Sequence, residues 1–150
     1  CSSDLDENAV SIHVRRGDYL EPKYWKTTGC VCQLPYYLNA IAEMNKRISQ
    51  PSYYVFSDDI AWVKENLPLP KAFFIDWNKG AESWQDMMLM SRCRHHIICN
   101  STFSWWGAWL NPRENKTVIM PERWFRHCET PDICPDKWIK VPINQPDSIQ

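Results

Sequence analysis

The run His13-Val14-Arg15-Arg16-Gly17-Asp18-Tyr19 puts two guanidinium groups and an imidazole next to a glycine. A guanidinium keeps its charge and donates paired hydrogen bonds to phosphate oxygens, so Arg15 and Arg16 could meet a phosphate. His13 and Arg15 are two apart and share one face of an extended segment. A surface Arg–Asp pair at a turn, with His13 as a satisfied core histidine, accounts for the same residues. Ser57-Asp58-Asp59 offers adjacent carboxylates, which can cap a helix or line a site. They are not the D-x-D pair that would chelate a metal–diphosphate. Asp76 follows an apolar run, where a carboxylate can accept two hydrogen bonds from a guanine edge or a ribose, or serve as a solvated turn residue. In Asn100-Ser101-Thr102-Phe103-Ser104-Trp105-Trp106-Gly107, two hydroxyls stand at the expected start of a helix. Free amides and the helix dipole favour an anion there. A plain N-cap ahead of an aromatic core helix is the alternative. Asn100-x-Thr102 and Asn115-x-Thr117 also fit the glycosylation sequon, a pattern common by chance.

These residues need elements to hold them. Ala9 to Arg15 alternate apolar and polar positions and predict a strand that breaks at Gly17. After a loop over 20–34, Pro35 opens a helix to about Ser49 with Leu38, Ile41, Ala42 and Ile48 on one side. Tyr53–Ser57 reads as a buried strand. Asp58 is placed to cap a helix that runs to about Asn66, with Trp62 on its apolar side. Ala72–Asp76 reads as a third strand. Glu82–Arg92 is a helix with Trp84, Met87, Met88 and Ser91 at core spacing. His96–Asn100 is a strand, Phe103–Leu110 a helix capped by Ser101 or Thr102, and Thr117–Met120 a strand; Pro121 starts a helical turn. The expected core is about 9–125, with an irregular tail over about 131–150. Strands alternating with helices imply an α/β fold, a Rossmann-like, mostly parallel sheet flanked by helices. Ligands of such sheets bind beyond the carboxyl ends of the strands. That edge gathers His13, Arg15, Arg16, Asp58, Asp76, Ser101 and Thr102. Two arginines, a carboxylate and an anion-binding helix start suit a nucleotide diphosphate with no obligatory metal.

Composition narrows the choice. The 150 residues fit one domain. Net charge is −1, which argues against general nucleic-acid binding or adhesion to an anionic membrane. Only 4 glycines are present, and neither G-x-G-x-x-G nor G-x-x-x-x-G-K occurs. No apolar run approaches the ~20 residues of a membrane span. The 7 cysteines are an odd number without a C-x-x-C pair, so a zinc ribbon is disfavoured and a reduced setting is the simpler expectation. Cys93 and Cys99 read as buried thiols. The 9 tryptophans could stack on sugars, as in a carbohydrate-binding module, but Trp62, Trp84 and Trp105 fall on expected helix faces where core packing accounts for them.

The motif His13-Val14-Arg15-Arg16-Gly17-Asp18-Tyr19 resembles the H-x-R-R-G-D-Y block of the α-1,2-fucosyltransferases, glycosyltransferase family eleven. Val55-Phe56-Ser57-Asp58-Asp59 resembles their second block. Asp86 to Cys93, His96 and Asn100 to Trp106 resemble their third. The likeness spans roughly residues 10–125 and rests on the order and spacing of all three.

The resemblance implies inverting, metal-independent transfer of L-fucose from GDP-fucose to a galactose-containing glycan, with no cofactor beyond the donor substrate. It implies one half of a two-domain GT-B type enzyme. A complete member carries an N-terminal acceptor domain before the first motif, whereas this chain begins twelve residues before His13. The expectation is therefore the donor half only, inactive alone. Residues 1–150 would form the GDP-fucose-binding domain. His13 and Arg15 then belong to the diphosphate side, with Arg15 stabilising the leaving group and Arg16 in a structural role. Asp76 would read guanine, and Ser101, Thr102 and Phe103 would meet phosphate and nucleoside. Asp18 is the carboxylate nearest the motif for a general base, or else a partner of Arg16. A bacterial member would be cytoplasmic, an animal one Golgi-resident.

Overall fold

The computed structural model describes residues 8–16, 32–69, 71–76, 83–122, 124, 135 and 137–143. Within them, six strands and four helices follow one another: β1 (Ala9–Val14), α1 (Leu34–Arg47), β2 (Ser52–Ser57), α2 (Ile60–Asn66), β3 (Ala72–Asp76), α3 (Ser83–Ser91), β4 (His95–Ile97), α4 (Thr102–Trp109), β5 (Val118–Pro121) and β6 (Ile139–Val141). All strand pairs are parallel, in the order β3-β2-β1-β4-β5-β6. This is the doubly wound order of Rossmann-like sheets, which grows one way from β1 to β3 and then restarts beside β1 at β4. The expected α/β class is what the chain forms.

Alternation along the strands builds the layers. Val10, Ile12 and Val14 of β1 join Tyr53, Val55, Ile97 and Ile119 on one face, covered by Tyr36, Tyr37, Ala40, Ile41 and Met44 of α1 and by Val63 of α2. Val118 and Met120 face the other way and pack with Ile98 and Ala108 of α4. Gly107 lets α3 come close to α4: a Cβ there would sit 2.6 Å from Met90 Sδ.

Several expectations change. The core face of α1 is led by its two tyrosines, while Ala42 is exposed. The face of α3 is turned: Asp86, Met90 and Ser91 are buried, whereas Trp84 is 61% and Met88 43% exposed. The close approach at Gly107 draws Met90, not the larger indole, inward. Pro121 ends β5 instead of starting a helical turn, because its missing N–H is tolerated at a strand end. The expected irregular tail contributes β6 at the sheet edge, where Lys140 faces water between Ile139 and Val141.

Candidate active site at the carboxyl edge of the sheet

The strand order reverses between β1 and β4, which pair through Val10–His95, Ser11–His96 and Ile12–Ile97. Beyond their carboxyl ends the chain leaves in two directions, into Arg15-Arg16 after β1 and into α4 after β4. Such a divergence opens a crevice between adjacent strands. Two tyrosines of α1 pin its two banks from beneath. The Tyr37 hydroxyl donates to His13 O at 3.0 Å, and the Tyr36 hydroxyl donates to Ile98 O. The adjacent phenols at the start of a helix were the signal available in sequence, and hydrophobic periodicity passes over it.

His13 is buried, and its Nδ1 lies 3.2 Å from Cys99 Sγ. Burial, helped by the Arg15 guanidinium, lowers the His13 pKa to about 3. Burial pushes the Cys99 thiol up to about 12, against the pull of Ser104 and Arg15. A neutral imidazole and a neutral thiol therefore form the floor, with the Arg15 charge next to both. The Phe103 ring lies 5.8 Å from the His13 ring at 52°. His13 thus brings no charge to the crevice; it is a packed residue under Phe103.

Arg16 is held by α2. Its amide donates to Asp58 Oδ1 at 2.9 Å, its Nε lies 3.4 Å from Asp59 Oδ2, and its guanidinium sits 4.1 Å over the Trp62 ring. These contacts hold Arg16 against Asp58, Asp59 and Trp62; Asp18, its other expected partner, lies outside the described residues. Trp62 is half-buried beneath this cation. The cap expected of Asp58 is made by Asp59, whose Oδ1 accepts from Trp62 N. The helix starts at Ile60, so only Asp59 occupies the capping position. Asp58 instead fixes the backbone leaving β1.

On the other bank, Ser101 is the N-cap of α4 and accepts from Phe103 N at 3.3 Å. It is buried, whereas Thr102 is exposed at the first helical position. The two hydroxyls divide the tasks: Ser101 shapes the turn and Thr102 faces outward. Asp76 ends β3, in register with Ser57. At ~4.8 Å per strand it lies on the same edge, about 10 Å sideways from β1. Asn100 is buried and its Nδ2 donates to Trp124 O, which removes it as a glycosylation acceptor in the folded chain.

Behind the crevice runs a buried polar chain. Asn111 Nδ2 donates to His96 Nε2 at 2.9 Å, so Nδ1 carries the proton and donates to Ser11 Oγ at 2.7 Å. Burial first, then the nearby cations, lowers the His96 pKa to about 3. This ties β1, β4 and the end of α4 together. Tyr36→Phe should lower stability by about 1–3 kcal/mol, the cost of an unmet buried carbonyl. Urea unfolding should show a lower midpoint with an unchanged slope; an unchanged midpoint would mean that the phenol does not hold the β4 bank.

Among the described residues no group of three or more His, Cys, Asp or Glu could hold a metal ion. Cys32, Cys93 and Cys99 are buried thiols without disulfides. Among the described residues, too, no helix is long and apolar enough to cross a membrane.

Residues 3–141 match the model of Glycosyl transferase family 11. The alpha-1,2-colitosyltransferase of Escherichia coli is 38% identical over 138 residues, covering 89% of this chain and 48% of that protein. The O-antigen biosynthesis glycosyltransferase WbnK of Escherichia coli is 37% identical over 135 residues, covering 89% and 45%. Galactoside alpha-(1,2)-fucosyltransferase 1 of Ateles belzebuth is 34% identical over 113 residues, covering 73% and 30%. The chain spans about half the length of the first two relatives. No solved structure matches it. On a match over nearly its whole length, the chain belongs to glycosyl transferase family 11.

Proposed function

We propose that this chain is the donor-binding part of an inverting enzyme that moves L-fucose from GDP-fucose to a galactoside hydroxyl in α-1,2 linkage. The observation that carries the reading is the crevice at the β1–β4 reversal, with Arg15 on one bank and the start of α4 on the other. The acceptor hydroxyl attacks the anomeric carbon from the face opposite GDP. The bond from that carbon to the β-phosphate oxygen breaks, and its electron pair stays on the phosphate. The transition state resembles an oxocarbenium ion, as in glycoside hydrolysis. Arg15 and the first amides of α4 stabilise the growing phosphate charge, with the Thr102 hydroxyl as a further donor. These groups supply positive potential without a metal. Phe103 offers a ring to the nucleoside, and Asp76 an acceptor to guanine N–H groups. Asp18, three residues after Arg15, is the candidate base for the acceptor hydroxyl.

A second donor is favoured by one finding: a relative at 38% identity is named for colitosyl transfer. The test is product formation by the whole protein from GDP-fucose and from GDP-colitose with a galactoside, and NMR of the linkage. An α-1,2-fucosyl product is expected. Transfer from GDP-colitose alone would keep the site and replace the sugar. GDP binding without transfer from either would make this a nucleotide-binding module.

A further inference from the structure

At the opposite edge of the sheet lies a cavity of about 360 Å³. It is formed where α4 ends and where β5 and β6 begin, so the length of α4, about 12 Å at 1.5 Å per residue, separates it from the crevice. This volume falls at the lower end of the ~300–1,000 Å³ typical of ligand pockets. Trp109 and Trp138 line it, with Arg113, Lys116 and Lys137 as cations and Glu114 as the carboxylate.

The aromatic wall is built from behind. Trp105 stacks on Trp109 at 5.2 Å and 12°, and lies 5.7 Å from Trp138. Trp109 is nevertheless 50% exposed, because the stack covers one face of its indole. Lys116 Nζ donates to Ala108 O at 2.9 Å and Asn111 O at 2.7 Å, closing the end of α4. Arg113 NH1 donates to Asn111 Oδ1 at 3.1 Å. The cations are therefore fixed beside the wall, while Lys137 is exposed at the rim.

We propose that this cavity is a second binding site, for an acidic saccharide, distinct from the donor crevice. A single open indole face suits the C–H face of one sugar ring. Among the described lining residues, three cations against one carboxylate favour a ligand with a negative charge, and Glu114 accepts from hydroxyls. A phosphate-rich nucleotide, with several negative charges, meets more repulsion from Glu114 than a ring with a single carboxylate does, and the hydroxyls of that ring meet donors and an acceptor together. The inference does not depend on the donor reading.

The probe is cellobiouronic acid, with cellobiose as its neutral counterpart, titrated by tryptophan fluorescence and saturation-transfer NMR with saturating GDP present. Cellobiouronic acid should bind at least fivefold more tightly than cellobiose, and Trp109→Ala and Lys137→Glu should each weaken it at least fivefold. Lys137 is exposed, so its reversal leaves the core intact and carries the test if Trp109→Ala does not fold. Equal binding of the two sugars, displacement of the acid by GDP, no binding, or an unchanged affinity in Lys137→Glu would each overturn the site.

Discussion

Arg15→Ala should lower transfer by the whole protein about 10²–10³-fold, the usual effect of deleting one preorganised donor to a developing anion. The size of the effect follows from what the other cations do. Arg16 is held against Asp59 and Trp62, and His13 is a neutral buried imidazole. On the proposed reading, Arg15 is the motif side chain that brings charge to the leaving phosphate, while Arg16 serves α2 and His13 the core. Arg15→Lys keeps the charge but loses the paired geometry, so it should recover only part of the rate. The loss should appear in kcat more than in KM, because phosphate charge grows in the transition state. Initial rates at saturating donor decide the matter, and near-normal turnover by Arg15→Ala would remove Arg15 from the reaction.

Acid should begin to destabilise this protein at a pH where most carboxylates are still ionised. His13 and His96 are both lowered to about 3 in the folded chain. In the unfolded chain an ordinary histidine titrates near ~6.5. Between those values the unfolded state binds protons that the folded state refuses. Stability is therefore full above ~6.5 and is lost as pH falls toward about 3. Two such groups give a slope approaching about 2.7 kcal/mol per pH unit, at ~1.36 kcal/mol per proton. Half-buried His95 is lowered as well and acts in the same direction. Against a typical stability of about 5–15 kcal/mol, such a slope exhausts the fold within a few pH units. Urea unfolding at closely spaced pH values reads the slope directly. His13→Gln, if it folds, should roughly halve it; stability that stays flat from pH 6.5 to 5 would show that the two rings are not buried neutral.

Much of this architecture is legible in the chain. The alternation over Ala9–Val14 and the apolar runs at β2 and β3 report their strands: β1 and β2 are buried and leave a compositional trace, and β3 keeps an apolar run although Phe73 and Phe74 are exposed at the sheet edge. The end of β1 and the start of α4 are legible for the same reason, since strands that alternate with helices fix which ends carry chemistry. Other features depend on contacts distant in sequence. The face of α3 is set by the approach of Met90 to Gly107, which no periodicity within α3 records. The roles of Asp58 and Asp59 follow from a helix boundary displaced by one residue. Tyr36 and Tyr37 pass for ordinary core residues until their hydroxyls meet carbonyls 62 and 24 residues away. The strand β6 is short and lies among prolines, so only its pairing with β5 reveals it.

GDP titrated into the isotopically labelled chain, followed by amide resonances, tests the donor crevice most directly. The predicted result is saturable binding, with the largest shifts at Arg15, Arg16, Thr102 and Phe103 and little change at Lys116 and Trp138. Absence of binding, or shifts confined to the Lys116 and Trp138 edge, would contradict a nucleotide pocket at the β1–β4 reversal.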